Sequence, residues 1–167
     1  MFNTFRAMRR FSIPLLAFLS AFAARAQSLP GKPLSGDGML VKTSSTSQWD
    51  SPELHLSLVR GQPVSCAFHT NKEKKPWVAI RLAAPAEVTG IEVTNRTDGS
   101  EFRTEPLVVS VSADGKTWKQ VFRSEKAEPK WSIPLSEPAA GTQWVRFELD
   151  RGNAEYFHLS RVVIYAR

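Results

Sequence analysis

The chain has 167 residues and a formal net charge of +6, from 22 basic and 16 acidic residues. Four of the arginines and none of the acidic residues lie in the segment 1–26, so the remainder carries 18 basic against 16 acidic residues, a net charge of +2. This near balance, together with the lack of any run of five or six like charges, argues against a nucleic-acid-binding protein.

The segment 1–26 has the pattern of a secretory signal peptide. Arginines precede an apolar run at residues 11–24, which is short for a bilayer span, and an Ala-x-Ala cleavage pattern ends at Ala26. The sequence therefore predicts a secreted or periplasmic protein that begins at Gln27 and has no membrane span. An uncleaved N-terminal anchor is the alternative interpretation.

The segment 27–167 is long enough for one domain with its own core. Residues 27–48 are rich in Ser, Gly, Pro, Thr and Lys and predict a flexible N-terminal arm, which leaves residues 49–167 for the folded domain. Cys66 is the single cysteine, so the fold is predicted to lack an intramolecular disulfide and Cys66 to be a buried, unreactive thiol.

Short runs of alternating or apolar residues recur to the end of the chain. Eight strands are predicted, at residues 54–58, 77–82, 88–94, 107–111, 118–122, 131–135, 144–149 and 157–165. Asp114-Gly115 gives the strongest hairpin signal, because these residues accept the positive φ of a tight turn. Since no long amphipathic helical pattern follows Ala26, the sequence predicts an all-β sandwich or jelly roll.

Two arginines and two carboxylates share the loop after the third predicted strand. Strand alternation directs Arg96 outward at the end of that strand, and Arg103 lies on the return of the loop, so both guanidinium groups are predicted at one end of the barrel. Asp98 can hold one of them as a fork, and Glu101 or Glu73 the other. A surface ion-pair network that only stiffens the loop is the alternative.

The order of motifs resembles the discoidin, or coagulation factor 5/8 type C, domain family. The resemblance covers residues 43–167 and rests on the hairpin at residues 112–118, the PWVAIRL strand at residues 76–82 and the two C-terminal strands. It implies an eight-stranded, galactose-binding-domain-like β jelly roll.

A narrower resemblance is to the F-type lectins, the fucose-binding branch of this fold. Their signature is a histidine, a long spacer of nearly constant length, Arg-x-Asp, a short spacer and a basic residue. Here residues 70–95 form the long spacer between His69 and Arg96, and residues 99–102 form the short one between Asp98 and Arg103. The resemblance implies that the histidine and the arginines bind fucose or a similar sugar with an axial hydroxyl, and that Asp98 orients the arginines.

These residue types suit a neutral sugar. A guanidinium presents parallel N–H donors to adjacent hydroxyls, and a neutral imidazole can donate to or accept from another oxygen. Phe68 and Phe102 adjoin motif residues and are predicted to contact the apolar face of the sugar, and Glu73 is a predicted supporting residue.

The sequence departs from the lectin pattern after Arg-x-Asp. F-type lectins carry two adjacent cysteines there, whose disulfide forms a flat platform for the sugar, and this chain has Gly99 and Ser100. The loss of stacking area predicts weak affinity or an altered specificity.

The calcium site of the family is predicted to be lost, so no metal or cofactor is expected. Residues 58–65 contain no carboxylate, and Arg161 stands where the family has an acidic ligand. Arg161 is predicted to hydrogen-bond backbone oxygens of residues 61–65 in place of the ion. The resemblance also pairs the position of Cys66 with that of Ser160, where relatives have a disulfide.

The leading interpretation is a secreted, non-catalytic carbohydrate-binding module with a fucosylated or similar glycan as its partner. The alternative is a discoidin-like structural or protein-interaction domain with a vestigial sugar site. An enzyme ranks third, because no nucleophile signature accompanies His69 and its neighbouring carboxylates.

Overall fold

The computed structural model describes residues 28–62 and 64–167. The predicted signal peptide and its cleavage point at Ala26 lie outside the described residues. Within the described ranges, the structure contains no helix that is both long enough and apolar enough to cross a membrane.

The described chain is built almost entirely from strands. These are β1 (Lys32–Pro33), β2 (Leu40–Thr43), β3 (Trp77–Thr94), β4 (Leu107–Ser112), β5 (Lys119–Ser124), β6 (Lys130–Leu149) and β7 (Arg161–Ala166). Helical structure is limited to α1 (Ser57–Arg60) and to the 3-10 turns Pro52–Leu54 and Glu101–Arg103. The prediction of an all-β fold is confirmed.

The strands pair antiparallel in the order β1-β7-β3-β6-β4-β5, and β2 joins the first half of β3. Along β3 the register with β6 shifts between Arg81 and Gly90. Before the shifts β3 also pairs with β2, and after them with β7. Such bulges let one strand bend and take part in both layers of a sandwich.

The long strands β3 and β6 each join two strands that the sequence predicts separately. Seven strands are described where eight were predicted. Residues 77–82 and 88–94 are continuous, as are residues 131–135 and 144–149, while residues 54–58 form no strand and β1 and β2 were not predicted. The apolar pattern breaks at Ala-Ala-Pro in β3 and at Glu-Pro-Ala-Ala-Gly in β6. These breaks are bulges in the structure, and a sequence pattern does not distinguish a bulge from a turn.

Two other predicted strands differ from the structure. Residues 54–58 form the end of a 3-10 turn and the start of α1, although Leu58 is fully buried as a strand pattern would also require. Residues 157–160 precede β7 and are not part of it, yet Phe157 and Leu159 are buried. The apolar residues of these two segments are therefore buried without belonging to a strand.

The segment before Trp49 is not the flexible arm that its composition predicts. β1 pairs with β7, β2 pairs with residues 78–81 of β3, and Met39 is buried in the core. Short strands at the edge of a sheet keep one face in solvent, so they need few large apolar residues. Their polar composition therefore resembles that of a linker.

The Asp114-Gly115 hairpin is confirmed. β4 pairs with β5, Gly115 has a φ of 72°, and the Asp114 carboxylate accepts the backbone N–H groups of Lys116 and Thr117 at 2.8 Å each. The bonds from Thr117 and Lys116 lower the pKa of Asp114 to about 2. The turn is thus stabilised by an ionised carboxylate at neutral pH.

The core lies between the two layers and is closed by aromatic rings. Phe68 and Phe157 pack edge to face at 5.3 Å between ring centres, and both are fully buried, as is Phe147 of β6. Phe68 and Phe157 directly precede His69 and His158. The core packing of these two phenylalanines therefore places two histidines at the end of the sandwich.

Candidate functional site

The loop after β3 is held from inside by Asn95, which is fully buried. Its side-chain amide donates to the carbonyl oxygens of Glu101 and Glu128, each at 3.0 Å, and its side-chain oxygen accepts from the Arg96 N–H and the Thr104 hydroxyl, each at 2.9 Å. These four bonds use the hydrogen-bonding capacity of the amide. The loop is therefore fixed both to itself and to the segment before β6.

Arg96 and Asp98 form a bidentate pair. Nε and Nη2 of Arg96 donate to the two carboxylate oxygens of Asp98, and the arginine side chain is only 11% exposed. Hydrogen bonding from Arg96 lowers the pKa of Asp98 below its usual value, so the carboxylate stays ionised at neutral pH. The fork predicted from the sequence is present, and its guanidinium keeps further N–H donors for another partner.

His69 is oriented by three contacts. Its backbone N–H donates to the Asp50 carboxylate at 2.8 Å, and its Nδ1 lies 3.0 Å from both the Ser47 hydroxyl and the Thr70 carbonyl oxygen. Because a carbonyl oxygen only accepts, we assign the proton of the neutral ring to Nδ1. Nε2 is then an acceptor.

Burial lowers the pKa of His69, and the positive charges of Arg96 and Arg103 lower it further. The imidazole is therefore neutral at pH 7. The guanidinium carbon of Arg103 lies 5.8 Å from the centre of the Tyr156 ring, which lies 5.2 Å from the His69 ring, so the loop after β3 and the loop of His69 meet at the same end of the sandwich.

An aromatic cluster surrounds His69. Trp49 and Tyr156 lie 5.6 Å and 5.2 Å from the imidazole, between ring centres, and 5.6 Å from each other. His158 lies 5.4 Å from His69 on the buried side, and burial lowers its pKa to about 3. Trp49 is 60% exposed, so the cluster presents an indole to solvent beside the imidazole.

Arg103 is held by aromatic rings. Its guanidinium carbon lies 5.7 Å from the centre of the Phe102 ring and 5.8 Å from that of Tyr156, a cation–π geometry. Among the described residues, no ion pair involves Arg103. The carboxylate partners predicted for it are engaged elsewhere, since Glu73 accepts from the Ser44 and Ser45 hydroxyls and Glu101 from the Gly99 N–H.

Four of the predicted site residues lie together, and the two predicted phenylalanines lie in different places. The structure brings His69, Arg96, Asp98 and Arg103 to one end of the fold. Phe68 does not join them, because its ring is in the core, and Phe102 is 62% exposed on the 3-10 turn of the loop.

Sequence reasoning missed Trp49, Asp50 and Tyr156. Trp49 and Asp50 follow the polar segment that was interpreted as an arm, and Tyr156 is far from His69 along the chain. The Asp50 carboxylate also accepts from Nε2 of His55 at 2.8 Å, so it joins two loops. The sequence signal that could have identified Trp49 was its position, as a large aromatic residue at the end of a polar segment.

The region expected to have lost calcium shows a different arrangement from the prediction. The Ser160 hydroxyl donates to the Val64 carbonyl oxygen at 2.6 Å. The exposed Arg161 packs on Gly61, where an added Cβ would be 3.3 Å from Nη2, and no hydrogen bond from its guanidinium is found among the described residues. In the described part of this loop, the hydrogen bond to the segment that leads into β7 is made by Ser160.

Cys66 lies half-buried in the same loop, and its thiol donates to the Phe68 carbonyl oxygen at 2.9 Å. Burial raises the pKa of the Cys66 thiol, which favours the unreactive protonated form.

An antiparallel sandwich with its polar and aromatic site on loops at one end defines the class of discoidin-like β-sandwich domains. The chain belongs to the F5/8 type C domain family, whose model matches residues 41–162. No curated protein matches the sequence.

Solved structures with this fold include lectins and carbohydrate-binding modules. The f-lectin (fucolectin) of striped bass (Morone saxatilis) serum has a TM-score of 0.67 at 21% identity, over 83% of this chain and 48% of that chain. The lectin domain of Lectinolysin complexed with Lewis B antigen has a TM-score of 0.63 at 21% identity, over 79% and 95% of the two chains. The family 32 module of Clostridium perfringens NanJ, in complex with galactose, has a TM-score of 0.64 at 14% identity, over 80% and 97%. At these identities the likeness establishes the fold.

Proposed function

We propose that this protein is a non-catalytic carbohydrate-binding module that binds fucose, or a similar sugar with an axial hydroxyl, at His69, Arg96 and Arg103. The observation that carries the proposal is the Arg96–Asp98 fork beside a neutral His69. The solved structures of the same fold support it, since several are named as binding fucose, Lewis B or galactose. The signal-peptide pattern of residues 1–26 supports action outside the cytoplasm.

The hydrogen-bonding groups suit a neutral polyol. Arg96 is fixed by Asp98, so its remaining N–H donors have a defined direction towards two adjacent hydroxyl oxygens. Nε2 of His69 accepts from a hydroxyl, and Arg103 donates to another oxygen from its position on the Tyr156 ring. Both charges are in place before the sugar binds, which lowers the entropic cost of binding.

The aromatic cluster supplies the apolar surface that F-type lectins obtain from adjacent cysteines. Gly99 has a φ of 89° and is exposed, and a Cβ added there would meet no atom within 4 Å, so this part of the loop offers no platform. The exposed indole of Trp49 lies beside His69 instead. We assign the C–H face of the sugar, or its methyl group, to this indole.

The proposed binding does not use calcium. The residues at the calcium position of the family do not fit the ion, because Arg161 brings a positive charge beside Gly61 and Ser160 already bonds the Val64 carbonyl. The described residues also contain no group of three or more His, Cys, Asp or Glu side chains placed to hold a metal.

Titration calorimetry of the mature chain with methyl α-L-fucoside tests the proposal. We expect a dissociation constant of about 10⁻⁴ to 10⁻³ M, and complete loss of binding in Arg96→Ala. Arg81→Ala removes the same charge from an exposed position on β3 and should bind as the wild type does. Undiminished binding in Arg96→Ala would place the site elsewhere.

A structural or interaction domain with a vestigial sugar site is the second candidate. The open space at Gly99 favours it, because the surface that contacts the sugar in related lectins is reduced there. A wild-type protein that binds no glycan on a fucosylated glycan array would support this candidate over the lectin.

A further inference from the structure

A groove of about 770 Å³ lies between the loop after β3 and residues 126–129, which precede β6. Its volume falls in the range of about 300–1,000 Å³ that is usual for small-molecule sites. The residues that line it and matter here are Arg96, Glu101, Phe102, Lys126, Ala127 and Glu128.

The groove is preformed. The buried Asn95 amide bonds the carbonyl oxygens of Glu101 on one wall and Glu128 on the other. A second tie joins the walls, since the Ala127 N–H donates to the Glu105 carboxylate at 3.0 Å. The groove is therefore held open by backbone and buried side-chain hydrogen bonds.

The surface of the groove combines apolar and polar groups in the way that a sugar ring requires. The Phe102 ring is 62% exposed and faces the groove together with Ala127, so a ring of C–H groups can pack there. Glu101, Glu128 and Lys126 lie around them and can accept from or donate to hydroxyls.

The groove is continuous with the proposed fucose site. Arg96 lines the groove and is also the arginine of the Asp98 fork. Arg103 lies between the Phe102 ring of the groove and the Tyr156 ring of the aromatic cluster. A sugar bound at His69 and the two arginines would therefore have its linked neighbour at the mouth of the groove.

We propose that this groove is an extension of the binding site, which holds the sugar residues next to a terminal fucose, with Phe102 as the stacking residue. The inference rests on the proposed function. It assigns Phe102 to the second sugar instead of the first, because the Phe102 ring lies on the groove and the first site already has Trp49 and Tyr156.

The groove selects neutral oligosaccharides. Its lining includes the carboxylates of Glu101 and Glu128, and that of Glu105, which pairs with Arg151 at 3.9 Å. The basic side chains of the lining are Lys126 and an Arg96 that Asp98 already neutralises. An acidic sugar such as sialic acid would meet like charge there.

Calorimetric titrations with methyl α-L-fucoside and with the neutral Lewis a trisaccharide test the inference on the mature chain. We expect the trisaccharide to bind at least tenfold more tightly than the monosaccharide in the wild type. Phe102→Ala should remove that gain. It should also weaken monosaccharide binding by no more than two- to fivefold, the loss expected when one of the two aromatic contacts of Arg103 is removed. Ala127→Tyr, which fills the groove and keeps the Phe102 ring, should remove the gain and leave the monosaccharide constant within twofold.

Leu40→Ala is the matched control, since it removes an exposed apolar side chain from β2 and should change neither constant. Equal affinity of the wild type for the two ligands would overturn the inference and leave the proposed function standing. A Phe102→Ala variant that loses more than fivefold in affinity for the monosaccharide would also overturn it, because Phe102 would then belong to the first site. Failure of the wild type to bind either ligand would refute the proposed function itself.

The same calorimetric experiment, extended to a sialylated ligand, tests the preference for neutral oligosaccharides. The sialylated form of the trisaccharide should bind at least fivefold more weakly than the neutral form. Equal binding of the two forms would overturn the assignment of neutral ligands.

Discussion

The guanidinium carbon of Arg103 lies 5.8 Å from the centre of the Tyr156 ring, and that ring also packs on His69 and Trp49. The two arginines of the site are thus held in different ways. Arg96 is fixed by a carboxylate, and Arg103 by the faces of aromatic rings. Among the residues that the structure describes, Arg103 therefore has no carboxylate partner that would compete with a ligand for its hydrogen-bond donors.

Substitutions of Tyr156 test whether its ring face holds Arg103 in place for binding. Tyr156→Phe keeps the ring face and should leave the affinity for methyl α-L-fucoside within about twofold. Tyr156→Leu removes the cation–π contact, which contributes about 0.5–1 kcal/mol at exposed sites, and should weaken binding about two- to fivefold. Calorimetry distinguishes the two variants, and thermal melting shows whether each is folded. An equal loss in both variants would mean that the phenol hydroxyl matters and the ring face does not.

Sugar binding should depend on pH through His69. Burial, with the charges of Arg96 and Arg103, lowers the pKa of His69 below its usual value, and the acceptor Nε2 is lost when the ring is protonated. Affinity should therefore be constant from pH 8 to about pH 6.5 and decline at lower pH. The pKa of Asp98, lowered by its bonds from Arg96, keeps that carboxylate ionised over the same interval.

Calorimetry of the wild type and of His69→Gln from pH 8 to pH 5 checks this assignment. The glutamine variant should bind more weakly and show no decline between pH 6.5 and pH 5. A decline of the same size in both proteins would assign the pH dependence to another group.

The sequence predicted the parts of this molecule that depend on neighbours along the chain. The Asp114-Gly115 hairpin and the Arg96–Asp98 pair are local, since turn geometry and a two-residue separation determine them. Phe68 is a case in which position along the chain was misleading. It directly precedes His69, but its side chain is buried in the core and does not join the site.

Features that depend on tertiary packing were not predictable in this way. Trp49 and Tyr156 meet around His69 only after three loops have converged, and neither has a motif of its own. The edge strands β1 and β2 were predicted as an arm because their partners are distant in sequence. The carboxylate predicted for Arg103 was wrong for the same reason, since Glu73 is drawn to Ser44 and Ser45 by a segment that was not expected to dock.

Acid should destabilise the fold through His158. The ring is fully buried, and burial, with the charge of Arg96, lowers its pKa to about 3, against about 6.5 in an unfolded chain. Between these values the unfolded state binds one more proton, so the free energy of unfolding rises with pH. The contribution is complete above pH 6.5 and should fall by about 2 kcal/mol between pH 7 and pH 5.

Urea denaturation of the wild type and of His158→Phe at several pH values measures this contribution. In the phenylalanine variant the free energy of unfolding should depend less steeply on pH, by an amount that corresponds to about one proton. This difference in slope is expected whatever the stability of the variant at pH 7. If the larger ring prevents folding, His158→Leu provides the same comparison. Parallel slopes in wild type and variant would show that His158 is not the group that titrates.

The final prediction concerns calcium and the contact between the loop before His69 and β7. In the structure the Ser160 hydroxyl bonds the Val64 carbonyl oxygen at 2.6 Å, and Arg161 places its guanidinium against Gly61. A divalent cation would meet the arginine charge, and a ligand that does not bind the native state cannot stabilise it. Calcium or EDTA should therefore leave the melting temperature within about 1 °C.

Variants of Ser160 and Arg161 test separately the hydrogen bond of Ser160 and the charge of Arg161. Ser160→Ala leaves a carbonyl without its partner in a mostly buried setting, which costs about 1–2 kcal/mol and several degrees in melting temperature. Arg161→Ala should cost less than Ser160→Ala, because the arginine is exposed and no bond from its guanidinium is found in the described part of the chain. Differential scanning calorimetry with and without calcium measures all three proteins. A calcium-dependent rise in the melting temperature of the wild type would show that the ion still binds, and a larger loss in Arg161→Ala would return the main tie to the arginine.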